Sequence, residues 1–524
     1  MHPGPFIDGC PSPPPDDPPG PPAQRVSSPV LPSRPCPALP GIVGGGIVAG
    51  MALPYDDVHL IADPLYRYIR ITVGREPGEV SEADVVDSPW VQRLKRIHQL
   101  QSAWWVFPTA EHSRFSHCLG TMHLAGELAR QVYPTLCEVA PETPSLPLVE
   151  ETLRLAGLLH DVGHGPFSHF LDEEYLCRFP VDPDDPGGAK LNHEFLSQYL
   201  IVNELGGAIR ALRRSPSGEF APGEAVDPGH VAYLLRAGED EVKGVERWVH
   251  LLHRALSGAV TVDNMDYVRR DAYMCGVAVG PADIDRLLYY TFCTHEGLTF
   301  HKRALGALRA FLNARFYMYE NIYFHRISRG IDLHLMEIFP DTLALIMPED
   351  PRTDLGAYLR LTEWSLFDEV ERWTDEPEGS AKRRLAGEWQ AIIHRDVKYR
   401  MVFEQSIERQ QPLPAARDMT TAEFRAGIRE ALPTALRGIT FAVDIASQDP
   451  RPLNPMSGPK RIPVYDPVNG AVADELLTGI LEFVPAKAHL FRVFATDREH
   501  DRELAAAAQA VLGAAGAESS ATNL

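Results

Sequence analysis

One short stretch, Gly157 to Asp172 (GLLHDVGHGPFSHFLD), constrains this chain more than any other. Leu153, Leu155, Ala156, Leu158 and Leu159 read as a buried helix that ends at the adjacent pair His160-Asp161. Gly163 and Gly165 break that helix, and Pro166 suits the first turn of another. The turn between them holds His160, Asp161, His164, His169 and Asp172. Burying so many polar or charged groups is costly unless they are paired or hold a metal. The fold must therefore gather a site around this turn.

Two other stretches supply what the turn lacks. Upstream, HSRFSHCLGTMHLAGELA begins a helix with His117 at its head and Arg114 one turn before it, so both can share a face. Downstream, TVDNMDYVRRDAYMCG offers Asp263, Asp266 and Asp271. His117, His160, Asp161 and Asp263 make a mixed nitrogen and oxygen set, which suits a hard or borderline divalent ion (Mn, Mg, Fe, Co or Zn) rather than a thiolate-selecting one. Such an ion can orient a phosphoryl oxygen and acidify water. His164, His169 and His193 titrate in the range useful for protonating a leaving oxygen. Asp172, three residues after His169, can hold an imidazole in place. Arg114 can pair with a phosphate.

The blocks QRLKRIHQL, VFPTAEHSRFSHCLGT, LLHDVGHGPFSHFLD, His193-Glu194 and VDNMDYVRRD, spread in order over roughly residues 55 to 345, carry a family resemblance. The order H…HD…D resembles the HD-domain phosphohydrolase superfamily. The flanking blocks are similar to its branch of deoxynucleoside triphosphate triphosphohydrolases that pair a SAM with an HD domain, and to their bacterial relatives without a SAM domain. The resemblance implies a mainly α fold with an all-helical core, and conversion of a dNTP and water into a deoxynucleoside and inorganic triphosphate. It assigns catalytic roles to the positions of His164, His169 and His193, with Asp172 in support. It places Gln99 and Leu100 near the sugar, Leu100 where a ribose 2′-hydroxyl would sit, and Tyr267 and Asp271 at the sugar edge. It also implies assembly as a dimer or tetramer, with dNTPs as activators as well as substrates.

This chain departs from the branch in places. Gln101, Ser102, Ala103, Trp104 and Trp105 follow the Gln-Leu pair where better-known members have glycines, and Asn264 stands where animal members carry a lysine. His325, Ser328 and Arg329 resemble the bacterial relatives. Two alternative functions stay open: an HD-type phosphohydrolase or phosphodiesterase acting on another nucleotide or a nucleic-acid end, and a non-catalytic nucleotide sensor.

Around this core the sequence suggests four further regions. Residues 1–52 hold Gly44, Gly46 and Ala49 in a loose dinucleotide-loop pattern without the strand it needs, and residues 1 to 40 contain 15 of the 46 prolines. They read as a disordered tail, with Met51 a candidate start. Residues 53–347 form the HD core, beginning with an extended stretch near 55 to 74 and continuing as helices. Expected helices cover about 89–101, 116–133, 149–160, 167–178, 192–203, 244–257, 262–274, 283–290, 303–326 and 330–347. Residues 180–190 and 214–229 read as loops.

Residues 348–432 read as a helical extension. Residues 433–514 read as a small C-terminal α/β lobe with strands in GITFAVDIA, RIPVYDP and HLFRVFA, and 515–524 as a frayed tail. His394, Arg395 and Asp396 imitate a kinase catalytic loop, but Met401 replaces the required asparagine, so they read as a charged helix face. A net charge of −21 disfavours non-specific adhesion to nucleic acid or anionic membranes. No apolar run reaches the roughly 20 residues of a membrane span. Seven cysteines without a CxxC pair fit a reducing cytoplasm.

Overall fold

A computed structural model describes residues 57–238, 242–280, 282–409, 419–448, 462–473 and 487–521. The tail expected over residues 1–52 lies outside them. The expected mainly α architecture is observed. The long helix Arg114–Val139 is buried along most of its length and packs most extensively against Leu146–Leu159. Gly157 permits that approach: a Cβ there would lie 2.8 Å from the carbonyl oxygen of Thr121 and 3.0 Å from the Met122 Cα. Val262–Met274 crosses the same long helix from another side. Leu153, Leu155, Leu158, Leu159, Met122 and Val268 are all buried in the core between these helices, each such side chain contributing about 1.5–3 kcal/mol of transfer free energy.

Several expected helices are shorter or broken. The one expected at 89–101 is Pro89–Gln92 followed by the 3-10 turn Arg93–Arg96. The chain beyond it pairs sideways instead: Gln99 N donates to His112 O at 3.0 Å and Arg114 N to Ile97 O at 3.0 Å. The helix at 303–326 divides into Leu305–Met318, a wider turn at Tyr319–Tyr323, and a fresh start at Arg326–Ile346. Helices at Glu82–Val86, Gly206–Ala211 and Pro228–Leu234 were not expected. His394 caps the helix Ala381–Ile393 and Arg395 has a φ of 63°, so this segment is a helix-ending turn rather than a charged helix face.

An antiparallel hairpin, Val58–Asp63 with Arg67–Thr72, precedes the helices. At the other end Lys487–Ala495 lies between Arg400–Arg409 and Phe441–Gln448 in an antiparallel sheet. Thr421–Ala431 and Asp501–Ala521 pack on it around Phe424, Ile428, Val443, Val493 and Leu504, a cluster separate from the main core. This is the expected α/β lobe, with two differences. Its first strand, Arg400–Arg409, comes from the stretch expected to be helical. Val464–Asp466 is instead a strand of another sheet, parallel to Gly297–His301 of the hairpin that follows Ile284–Tyr289. The last helix runs to Ala521, into the segment expected to fray. No helix among the described residues is long and apolar enough to cross a membrane.

Candidate active site

The HD turn, the head of the Arg114 helix and the head of the Val262 helix meet at one point. Thr261 caps the last of these by accepting from Asn264 N at 3.1 Å, which sets Asp263 in the first turn, where the helix dipole favours a carboxylate. His117 Nε2 lies 3.2 Å from His160 Nε2 and 3.1 Å from Asp263 Oδ1. His160 Nε2 lies 3.4 Å from Asp161 Oδ1 and 3.6 Å from Asp263 Oδ1. The sequence-predicted quartet is therefore brought together.

Outer hydrogen bonds fix which nitrogens face inward. His160 Nδ1 is 2.8 Å from the Gly157 carbonyl, which can only accept, so Nδ1 carries a proton and Nε2 is the nitrogen that faces the cluster. His117 Nδ1 is likewise 2.8 Å from Asp266 Oδ2. Asp266 is held by Arg270 at 2.8 and 2.9 Å and by the Tyr66 hydroxyl at 2.8 Å. A histidine with one nitrogen on a carboxylate or carbonyl and the other facing a cluster is the usual metal-site arrangement.

Electrostatics agree with that donor set. Burial disfavours charge on His117, but Asp263 and Asp266 outweigh it and hold the imidazole up at about 10. His160 is raised against the same burial by Asp161 and Asp263. Asp161 and Asp263 are held well below the usual carboxylate range despite burial, by the surrounding histidines and, for Asp161, also Arg114. The cluster is thus a pair of carboxylates, Asp161 buried and Asp263 partly exposed, that asks for positive charge, and His117, His160 and Asp161 can hold a metal ion together.

A second group stands beside the first. His164 stacks on His193 with ring centroids 3.7 Å apart, and its Nε2 is 3.5 Å from Asp161 Oδ1. Burial, then Arg114 and the neighbouring histidines, push its pKa well below the ordinary value. Asp172 takes the Nδ1 of His193 and, at 3.4 Å, that of His169. Against burial, those two bonds bring the Asp172 carboxyl down to about 2. Arg114 donates through Nη1 to Asp161 and through Nε to Ser168 Oγ at 3.0 Å. Two of its donors are thus used within the protein rather than left for a ligand.

Arg114, His117, His160, Asp161, His164, His169, His193 and Asp263 line one cavity of about 590 Å³, the size of a small-molecule site. Gln99, Leu100, Tyr267 and Asp271 line it as well. Gln99 Oε1 is buried without a protein partner, and Leu100 supplies apolar wall. Asp271 is fixed by His112 Nε2 at 2.9 Å and by the Tyr323 hydroxyl at 2.7 Å. Sequence reasoning left Tyr319, Tyr323 and Asp332 unassigned, though all three line the cavity. It placed Asp263 in the ligand set and gave Asp266 no role.

Among protein families, the HD domain matches residues 114–268. The chain is 27% identical over 276 residues to an uncharacterized protein, YwfO, of Bacillus subtilis, covering 53% of this chain and 54% of that one. It is 25% identical over 307 residues to the deoxynucleoside triphosphate triphosphohydrolase SAMHD1 homolog of Dictyostelium discoideum, covering 58% and 54%. Over 392 residues it is 26% identical to the deoxynucleoside triphosphate triphosphohydrolase SAMHD1 of Gallus gallus, covering 68% and 58%. The chain thus spans little more than half the length of these relatives. A hypothetical protein from Aquifex aeolicus superposes with a TM-score of 0.60 at 26% identity, over 87% of this chain and all of that one. A phosphohydrolase from Bacteroides thetaiotaomicron, at 20% identity and a TM-score of 0.58 over 84% of this chain and all of that one, shares the fold.

Proposed function

We propose, for a chain that belongs to the HD-domain phosphohydrolases, that its substrates are deoxynucleoside triphosphates and its products a deoxynucleoside and inorganic triphosphate. The observation that carries this reading is a histidine and aspartate cluster opening onto a cavity whose other wall combines Gln99, Leu100, Tyr267 and Asp271.

In this reading His117, His160, Asp161 and Asp263 hold one divalent ion (Mn, Mg, Fe, Co or Zn), which supplies Lewis acidity toward a phosphoryl oxygen and acidifies water. His169 and His193, both braced by Asp172, together with His164 stacked on His193, would deliver the proton to the leaving 5′-oxygen. Arg114 adds positive charge beside the phosphates. Gln99 and Asp271 bond the sugar, and Leu100 disfavours a 2′-hydroxyl by leaving it unpaired. Activation by dNTPs and assembly as a dimer or tetramer belong to the same reading, as the family resemblance implies, and a cytoplasmic location joins it from seven cysteines without a CxxC pair.

The test is product analysis of the purified protein with each metal and each dNTP, alone and mixed, beside His160→Ala and Asp161→Ala. Deoxynucleoside plus triphosphate, abolished in both variants, is expected. Release of diphosphate or monophosphate would refute the reaction type. Turnover of another phosphoester alone would move the assignment to that substrate, and tight binding without turnover to a sensor.

A further inference from the structure

Glu363 lies outside the matched HD domain, at the start of the helix Glu363–Arg372, and is fully buried. A carboxylate in that position is costly unless several donors meet it, and the donors it meets come from two segments that continue into walls of the cavity. Its Oε1 accepts from the backbone N–H of Phe167 at 3.2 Å and of His98 at 3.3 Å. Its Oε2 takes the His98 Nδ1. His98 stacks on Trp104, with ring centroids 4.5 Å apart.

Each wall leads to groups that face the cavity. Phe167 and Ser168 have φ of 59° and 54°, in the left-handed region, which costs non-glycine residues about 1–2 kcal/mol each. The turn keeps this shape because the Phe167 ring is packed against Trp105, Phe339, Phe367 and Trp389, with centroids 5.6–6.0 Å away, while Glu363 holds its amide. In that shape Ser168 Oγ accepts from Arg114 Nε. On the other wall, His98 is followed directly by Gln99 and Leu100.

We propose that Glu363 is a positioning residue of this pocket, acting on Arg114 through the Phe167–Ser168 turn and on Gln99 and Leu100 through His98. The inference rests on reading the cavity as a phosphoester site. Arg114, Gln99 and Leu100 are binding groups in that reading, so loosening them weakens substrate binding more than the chemical step.

The test compares wild type with Glu363→Gln, Ser168→Ala and the double variant. Glu363→Gln is expected to raise KM about tenfold, the effect of about one lost hydrogen bond to a charged group, while kcat changes less than about threefold and metal content stays at the wild-type level. Ser168→Ala is expected to raise KM in the same direction, and the double variant to be no worse than the poorer single one, because both act on Arg114. Loss of kcat and of melting temperature with KM unchanged, or single effects that multiply in the double variant, would overturn the proposal. If Glu363→Gln does not fold, His98→Gln takes its place, with the same expected KM rise and the same overturning result.

Failure of the substrate assignment reads out separately. If another phosphoester is the substrate, the KM comparison is made on it. If nothing is turned over, amide hydrogen exchange across residues 165–172 decides: about tenfold faster exchange in the variant supports the positioning role, and unchanged exchange overturns it.

Discussion

At the scale of single residues, the question is which of several nearby carboxylates faces the cluster and which supports it. Asp263 and Asp266 are three positions apart on one helix, so both can reach the His117 ring, and no local pattern says which takes Nε2 and which Nδ1. The HD pair and His117 were legible because adjacent imidazole and carboxylate groups in an apolar helix have few other uses. The supporting role of Asp266 was not, because besides Arg270 one turn along the same helix it depends on Tyr66 arriving from a distant part of the chain. Asp266→Asn keeps the side chain's shape but weakens the pull on the His117 Nδ1–H and leaves Arg270 with one fewer charge partner. It should lower affinity for the divalent ion about 10- to 100-fold, as read by metal titration. Unchanged affinity in a folded variant would mean that Asp266 serves only to bury Arg270.

At the scale of elements, helices with a long apolar face were legible, and those interrupted by tertiary pairing were not. The stretch after Arg96 has helical spacing, yet its backbone bonds go sideways to His112 and Arg114, which puts Gln99 and Leu100 on a cavity wall. The strand Val464–Asp466 was legible as a strand, but its partner at Gly297–His301 is too far along the chain to infer. Helix crossings raise the same difficulty at closer range. At Gly120 an added Cβ would lie 1.9 Å from Asp266 Oδ1 and 2.3 Å from Arg270 Nη2. Those tips cannot swing away, because their own hydrogen bonds pin them. Gly120→Ala gains about 1 kcal/mol of helix propensity but overpacks the crossing by about 1–3 kcal/mol. It should therefore lower the melting temperature and, by displacing Asp266, weaken metal retention as well. A stabilised variant with full metal content would show that the two helices can part without disturbing His117.

At the scale of the whole molecule, the C-terminal lobe has a hydrophobic cluster of its own but shares a polar seam with the core. Arg329 lines the cavity, bonds Asp444 of the lobe's sheet at 2.7 and 3.2 Å, and pairs with Asp332 at 3.3 Å. Asp332 in turn accepts from Ser102 on the cavity wall, and burial lifts its carboxyl to about 6 against the pull of Arg329. The lobe was legible as strands and an alanine-rich helix. The seam was not, since it joins residues from three distant parts of the chain. If the lobe merely rests on the core, Asp444→Ala should destabilise the protein without changing how substrate binds. The seam predicts otherwise. Without Asp444 the Arg329 guanidinium keeps Asp332 as its carboxylate partner and shifts along the cavity wall, so KM should change along with stability. A double-mutant cycle of Asp444→Ala with Arg329→Ala should then give a coupling of about 1–2 kcal/mol in substrate binding, a modest figure because Arg329 is partly exposed. Coupling in unfolding alone, with none in KM, would make the lobe a support for the fold rather than a wall of the site.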